Sequence, residues 1–114
     1  MYKKISFLTK RDGMTTKDFI DYYENHHVPL ILRLAPAPDV YKRHYVVRGD
    51  ELNLREDDIE FDVVCEVAFA DSAAFHRWLD ALSAAGSQVP DDEAKFLDRS
   101  RHMSFTDDER VTSA

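Results

Sequence analysis

Two adjacent histidines, His26 and His27, close the apolar-periodic stretch "YYENHHV", and Pro29 follows two residues after the second. Proline lacks an N–H and its ring clashes with the preceding turn, so a helix arriving here stops or kinks near residues 26–28. "PLILRL" then restarts as a short helical piece with Pro29 in first position. An imidazole at such a break can have one ring nitrogen oriented by a backbone carbonyl and the other free to move protons near neutral pH. The competing reading is a packed histidine that satisfies carbonyls freed by Pro29. Adjacent helical residues point about 100° apart, so only one of the pair enters a site.

Other reactive side chains lie on two stretches of strand character. "IEFDVVCEVAF" (59–69) carries Cys65 and Glu66. A thiol acts as a nucleophile when a cation or imidazole lowers its pKa. No basic residue is close to Cys65 in sequence, which favours a small buried hydrophobe. Glu66, if buried, needs a partner. It orients an imidazole, acts as a base with a raised pKa, or pairs with an arginine for structure. "VYKRHYVVR" (40–48) carries Arg43, His44 and Tyr45. Alternation puts His44 on the face opposite Arg43 and Tyr45, so one of His44 and Tyr45 is a candidate donor to a carbonyl or phenolate. Tyr22 and Tyr23 either line a cavity mouth or pack in the core. His102 and Ser104 share a face of the last strand.

The rest of the composition narrows the chemistry. The chain has 114 residues, the length of one domain, and a formal charge of −7. Its only basic concentrations, Lys3/Lys4/Lys10/Arg11 and Lys42/Arg43, are short and read as solvated faces, not a nucleic-acid footprint. The five histidines show no metal-ligand spacing, so no metal is expected. No phosphate loop, dinucleotide fingerprint or Gly-x-Ser-x-Gly elbow is present, so no cofactor is expected. One cysteine, no leader segment and no long apolar run point to a cytoplasmic protein without a membrane partner.

The elements that must position these residues follow from pattern. A strand over 2–10 ends at the Asp12-Gly13 turn. Thr15, with Asp18 three residues on, caps the first helix. "APAPD" (35–39) is a loop, and 49–58 is an exposed polar excursion between the second and third strands. Along 59–69 the set Phe61, Val63, Cys65, Val67 and Phe69 shares one face. Asp71 caps a helix with Phe75, Trp78, Leu79 and Leu82 on one stripe, and Gly86 ends it. "PDDEAKFLD" starts a short helix at Pro90, and 100–106 is a final strand before a polar tail over 107–114. The order β-α-β-β-α-β predicts an α+β, ferredoxin-like domain over 1–106, with an antiparallel four-stranded sheet and helices on one face. The uncovered face is too apolar for water, which predicts a twofold homodimer closing into a barrel that can hold a small molecule.

Three segments resemble the EthD family: the opening "KKISFLTKRDGMTTKDFIDYYENHHVPLI", the strand "FDVVCEVAFAD" and the closing "DEAKFLDRSRHMSF". The resemblance implies a dimeric α/β-barrel acting on small organic substrates by proton chemistry, without a cofactor. His27 matches the histidine of the family's His-x-Pro-Leu exit, and Glu66 its strand glutamate. Related lactone isomerases carry a cysteine at the position of Val67, two residues along the same face from Cys65, which sets a cysteine mechanism in doubt here. The expected function is a lyase, cyclase, decarboxylase or isomerase on a hydrophobic oxygenated substrate, such as an aromatic polyketide or a lactone. His27 is its acid or base, assisted by Glu66, Tyr45 or His44. Tyr22, Tyr23, Cys65, Val67 and His102 line the substrate. A cofactor-free monooxygenase and a non-catalytic binding protein are the alternatives.

Overall fold

Alternation along four strands divides the molecule into a covered and an open side. The computed structural model describes residues 1–114. In chain order it contains β1 (Tyr2–Leu8), α1 (Thr16–Tyr22), a π-turn (Tyr23–His27), α2 (Val28–Leu34), β2 (Val40–Tyr45), β3 (Val63–Phe69), α3 (Ser72–Ala84), α4 (Gln88–Glu93) and β4 (Met103–Thr106). The strands form one antiparallel sheet in the order β2-β3-β1-β4, as the ferredoxin-like reading requires. No helix is long and apolar enough to cross a membrane.

Register assigns the faces. Leu8 pairs with Val63, Ser6 with Cys65, Lys4 with Val67, and Tyr2 with Phe69. Tyr41, Arg43 and Tyr45 join the same side from β2. This side packs under the helices, where Phe19, Tyr23, Phe75 and Phe96 close over Val63, Cys65, Val67 and Phe69. Phe19, Val63 and Phe96 are completely buried. The open side carries Ile5, Phe7, His44, Val64, Glu66, Met103 and Phe105.

Caps and glycines set the helix limits. Thr15 Oγ1 accepts from the Asp18 N–H at 3.1 Å, and Asp71 Oδ1 from the Ala74 N–H at 2.8 Å. Gly86, at φ +72°, terminates α3 in the left-handed region that side chains with a Cβ avoid.

The structure corrects several expected boundaries. The helix is not interrupted before Pro29. It runs on from α1 into α2 through the π-turn, in which the Val28 N–H donates to Tyr23 O. The wider turn draws the carbonyl of Asn25, four residues back, away from the pyrrolidine ring. β3 begins at Val63, not at residue 59, so Phe61 escapes the alternation. Its ring lies 4.8 Å from Phe7 on the open side, where the sequence pattern placed it under the helices. β1 ends at Leu8, after which Lys10 bridges Leu97, and β2 ends at Tyr45, with the Val46 N–H donating to Asp62 O just beyond it. α4 begins at Gln88, with Pro90 in its first turn, where a missing N–H costs nothing. β4 is four residues long because Asp98 caps a 3₁₀ turn (Arg99–Arg101) ahead of it. Residues 107–114 have no regular secondary structure.

Candidate functional site

The π-turn presents Tyr23 and His27, four residues apart, to the covered face of the sheet. Both are buried, and their rings meet edge-on at 5.4 Å. His26 points elsewhere and stacks on Tyr22 at 4.9 Å. Above the sheet, the helices leave a cavity of about 580 Å³. That volume suits a small organic ligand. His27 lines it with Tyr23, Tyr41, Cys65 and Val67.

His27 is oriented by a carboxylate from α4. Its Nδ1 lies 2.8 Å from Asp92 Oδ2, and both side chains are buried. Tyr22 Oη donates to the other oxygen, Asp92 Oδ1. Asp92 therefore accepts on both oxygens, and the natural tautomer of His27 carries its proton on Nδ1. The Nε2 atom, which makes no hydrogen bond within the chain, is left at the cavity wall. Phe96 packs 4.8 Å from the imidazole and fixes the ring from the side. Burial, helped by the bond to Asp92, pushes the Tyr22 hydroxyl up to about 12, so it stays a donor.

The surrounding phenols are also held neutral. Burial raises Tyr23 well above its ordinary value, with the neighbouring Cys65 thiol adding to the effect. Burial raises Tyr41 in the same way. Burial likewise pushes the Cys65 thiol up, the opposite of what a nucleophilic thiolate requires. Behind Tyr23, Arg43 forks onto both oxygens of Glu24, at 2.9 and 2.6 Å. Tyr45 Oη donates to the same carboxylate. The hydrogen bonds from Arg43 hold Glu24 below the usual carboxylate range. This cluster ties the π-turn to β2.

The expected site residues therefore separate. His27, Tyr23, Cys65, Val67 and His102 line the cavity. Tyr22 acts on it one step back, through Asp92. Tyr45 shares the covered face but its hydroxyl is committed to Glu24. Glu66 and His44 are not brought to His27 at all. They stand on the open face, where Glu66 meets His44 Nε2 at 3.0 Å and Lys3 Nζ at 3.5 Å. The reason is parity: each is one residue out of step with the covered set of its strand.

Three residues of the site were not singled out from sequence. Asp92 carries one signal, its spacing of four from the buried Phe96. Tyr41 follows from alternation with Arg43 and Tyr45. Lys4, read as part of a solvated basic run, lines the cavity. At the α3 side, Trp78 also lines it, while its indole N–H is buried without a partner. No group of three His, Cys, Asp or Glu side chains is arranged to hold a metal ion.

Comparison with solved structures supports the same architecture. An EthD-family protein from Bacillus halodurans superposes with a TM-score of 0.64 at 20% identity, over 96% of this chain and 100% of that one. A hypothetical protein from Arabidopsis thaliana gives 0.63 at 11% identity, over 99% and 91%. HapK from Hahella chejuensis gives 0.63 at 14% identity, over 100% and 99%. At these identities the likeness is one of fold. No curated protein matches in sequence. The sequence model of the EthD domain matches residues 11–100, from the turn after β1 to the 3₁₀ turn before β4. The chain is a member of the EthD family.

Proposed function

We propose that this protein is a cofactor-independent acid–base enzyme. It acts on a small, hydrophobic, oxygenated substrate such as an aromatic polyketide or a lactone. One observation carries the reading: His27 is held by Asp92 through Nδ1, with Nε2 free at the wall of a largely apolar cavity. In that state Nε2 is an acceptor. It takes a proton from a carbon next to a carbonyl, or from a hydroxyl, while Asp92 keeps the ring oriented and stabilises the imidazolium that forms. Tyr23 and Tyr41, kept protonated by burial, are donors for the developing enolate oxygen. Return of the proton from Nε2 to carbon or to a leaving oxygen completes an isomerisation, a dehydration or a ring closure.

The working unit is a twofold homodimer formed through the open face of the sheet. Phe7 packs there between Phe61 and Phe105, and Met103 and Phe105 are 60% and 46% exposed in the single chain. Apolar surface of this kind is what a partner covers.

The test is turnover on a panel of aromatic polyketides and lactones, followed by carbon dioxide release, water loss or isomerisation. His27→Ala should lose about 100-fold or more of kcat, the usual contribution of a positioned acid or base. Asp92→Asn should lose a comparable factor with KM little changed, because it leaves the wrong tautomer in place. Turnover that His27→Ala leaves intact overturns the assignment. An oxygen electrode in the same assay separates proton chemistry from cofactor-free monooxygenation.

A further inference from the structure

The cavity has two unlike walls. From the helices come mostly apolar groups, Ile31, Trp78, Leu82 and Val89, with Ser83, Glu93 and the catalytic candidate His27 among them. From β1 and β4 come Lys4, Ser6 and Ser104. Register makes the second group contiguous: Ser6 pairs with Ser104 across β1 and β4, and Lys4 lies two residues along on the same face, opposite Thr106. Neither serine hydroxyl is engaged by another group of the chain.

Lys4 differs from its neighbour in one telling respect. Lys3, on the open face, is held by Glu66 and Glu109. Lys4 has no carboxylate within ion-pair distance, in a chain where 22 acids outnumber 15 bases. Its ammonium rests 3.4 Å from Thr106 Oγ1 and 6.0 Å from the centre of the Phe75 ring. The one acid on the cavity wall, Glu93, leans toward Arg99 at 3.6 Å. A cation and two free hydroxyls on one side of an apolar cavity are complementary to a carboxylate on an apolar body.

We propose that Lys4, with Ser6 and Ser104, forms a carboxylate-binding subsite, so that the substrate is an aromatic or alicyclic acid. This rests on the cavity being the substrate site and deepens that reading. Lys4 stands one strand over and two residues along from Cys65, which sheet geometry sets at about 7–8 Å between backbones. Cys65 lies beneath Tyr23, and Tyr23 touches His27. A carboxylate held by Lys4 therefore directs the body of the ligand along the sheet toward the imidazole. Lys4 is a positioning and specificity residue in this scheme.

The test uses calorimetric titration of the full chain with 2-naphthoate and with its neutral counterpart 2-naphthamide. Wild-type protein should bind naphthoate about tenfold or more tightly than naphthamide, the factor expected of a hydrogen-bonded charge pair. Lys4→Met should abolish that preference while keeping the naphthamide affinity and the circular dichroism of the wild type. Lys4→Arg should keep the preference. Equal affinities in the wild type, a preference that survives in Lys4→Met, or no binding of either compound overturns the subsite. His27→Ala should retain the preference. If no substrate is turned over but the preference depends on Lys4, the catalytic reading fails and the subsite stands.

Discussion

At the scale of single residues, the site is a chain of hydrogen bonds, Tyr22 to Asp92 to His27. His27 was legible in the sequence because Pro29 marks the turn it sits in. Asp92 was not, because an acid in the first turn of a short helix already has an explanation in the helix dipole. Only the tertiary fold brings α4 against the π-turn. The neutral state of the surrounding groups has a consequence for stability. Cys65, Tyr22, Tyr23, Tyr41 and Tyr45 all hold their protons to higher pH in the folded chain than in the unfolded one. Below the unfolded values both states are protonated and the stabilisation is complete. As pH rises above them, the unfolded chain loses protons that the folded chain keeps, so stability falls. The window opens near 9 with the thiol, and for Tyr22 it closes at about 12. Urea midpoints should decline across this range, and less steeply in Tyr22→Phe. Midpoints that stay level or rise would contradict the burial of these groups.

At the scale of elements, the π-turn determines which side chains reach the cavity. Strand and helix identities were readable from period and caps. The π-turn was not, because proline chemistry alone says that a helix must yield, without saying whether it breaks or widens. Widening keeps the axis continuous and absorbs one extra residue, so Tyr23 and His27, four residues apart, stay on the face turned to the sheet. Deleting the exposed Asn25 should return the turn to α geometry and leave His27 in nearly the same phase relative to α1, because the widened turn had absorbed that residue within one rotation. It should also press Pro29 back against a carbonyl, at a cost of about 3 kcal/mol. The expected variant keeps its helical circular dichroism and unfolds at lower urea. Adding Pro29→Ala should recover the lost stability. A deletion variant as stable as the wild type would show that the π-turn is not what relieves the proline. Strand parity is the other lesson at this scale. Glu66 and His44 were separated from His27 by a single step of alternation, which a sequence leaves open until one strand's face is known.

At the scale of the whole molecule, the α+β, ferredoxin-like class was readable because six elements alternate with clear turn signals and the resemblance spans most of the chain. The proposed pairing of two such chains depends on a surface that one chain alone leaves uncovered. Light scattering after size exclusion should give twice the 13.2 kDa of the single chain. Phe105→Asp, which puts a charge beside Phe7 in the aromatic cluster of the open face, should give the single mass with the fold retained. A wild type that runs as a monomer, or a variant that still pairs, would place the dimer contact elsewhere. The covered side carries a different opportunity. Trp78 is the only tryptophan in the chain, it lines the cavity, and it packs against Phe69 and Phe75. All indole emission from this protein therefore originates at the cavity wall, so the protein reports occupancy of its own cavity optically, without a label or a known reaction.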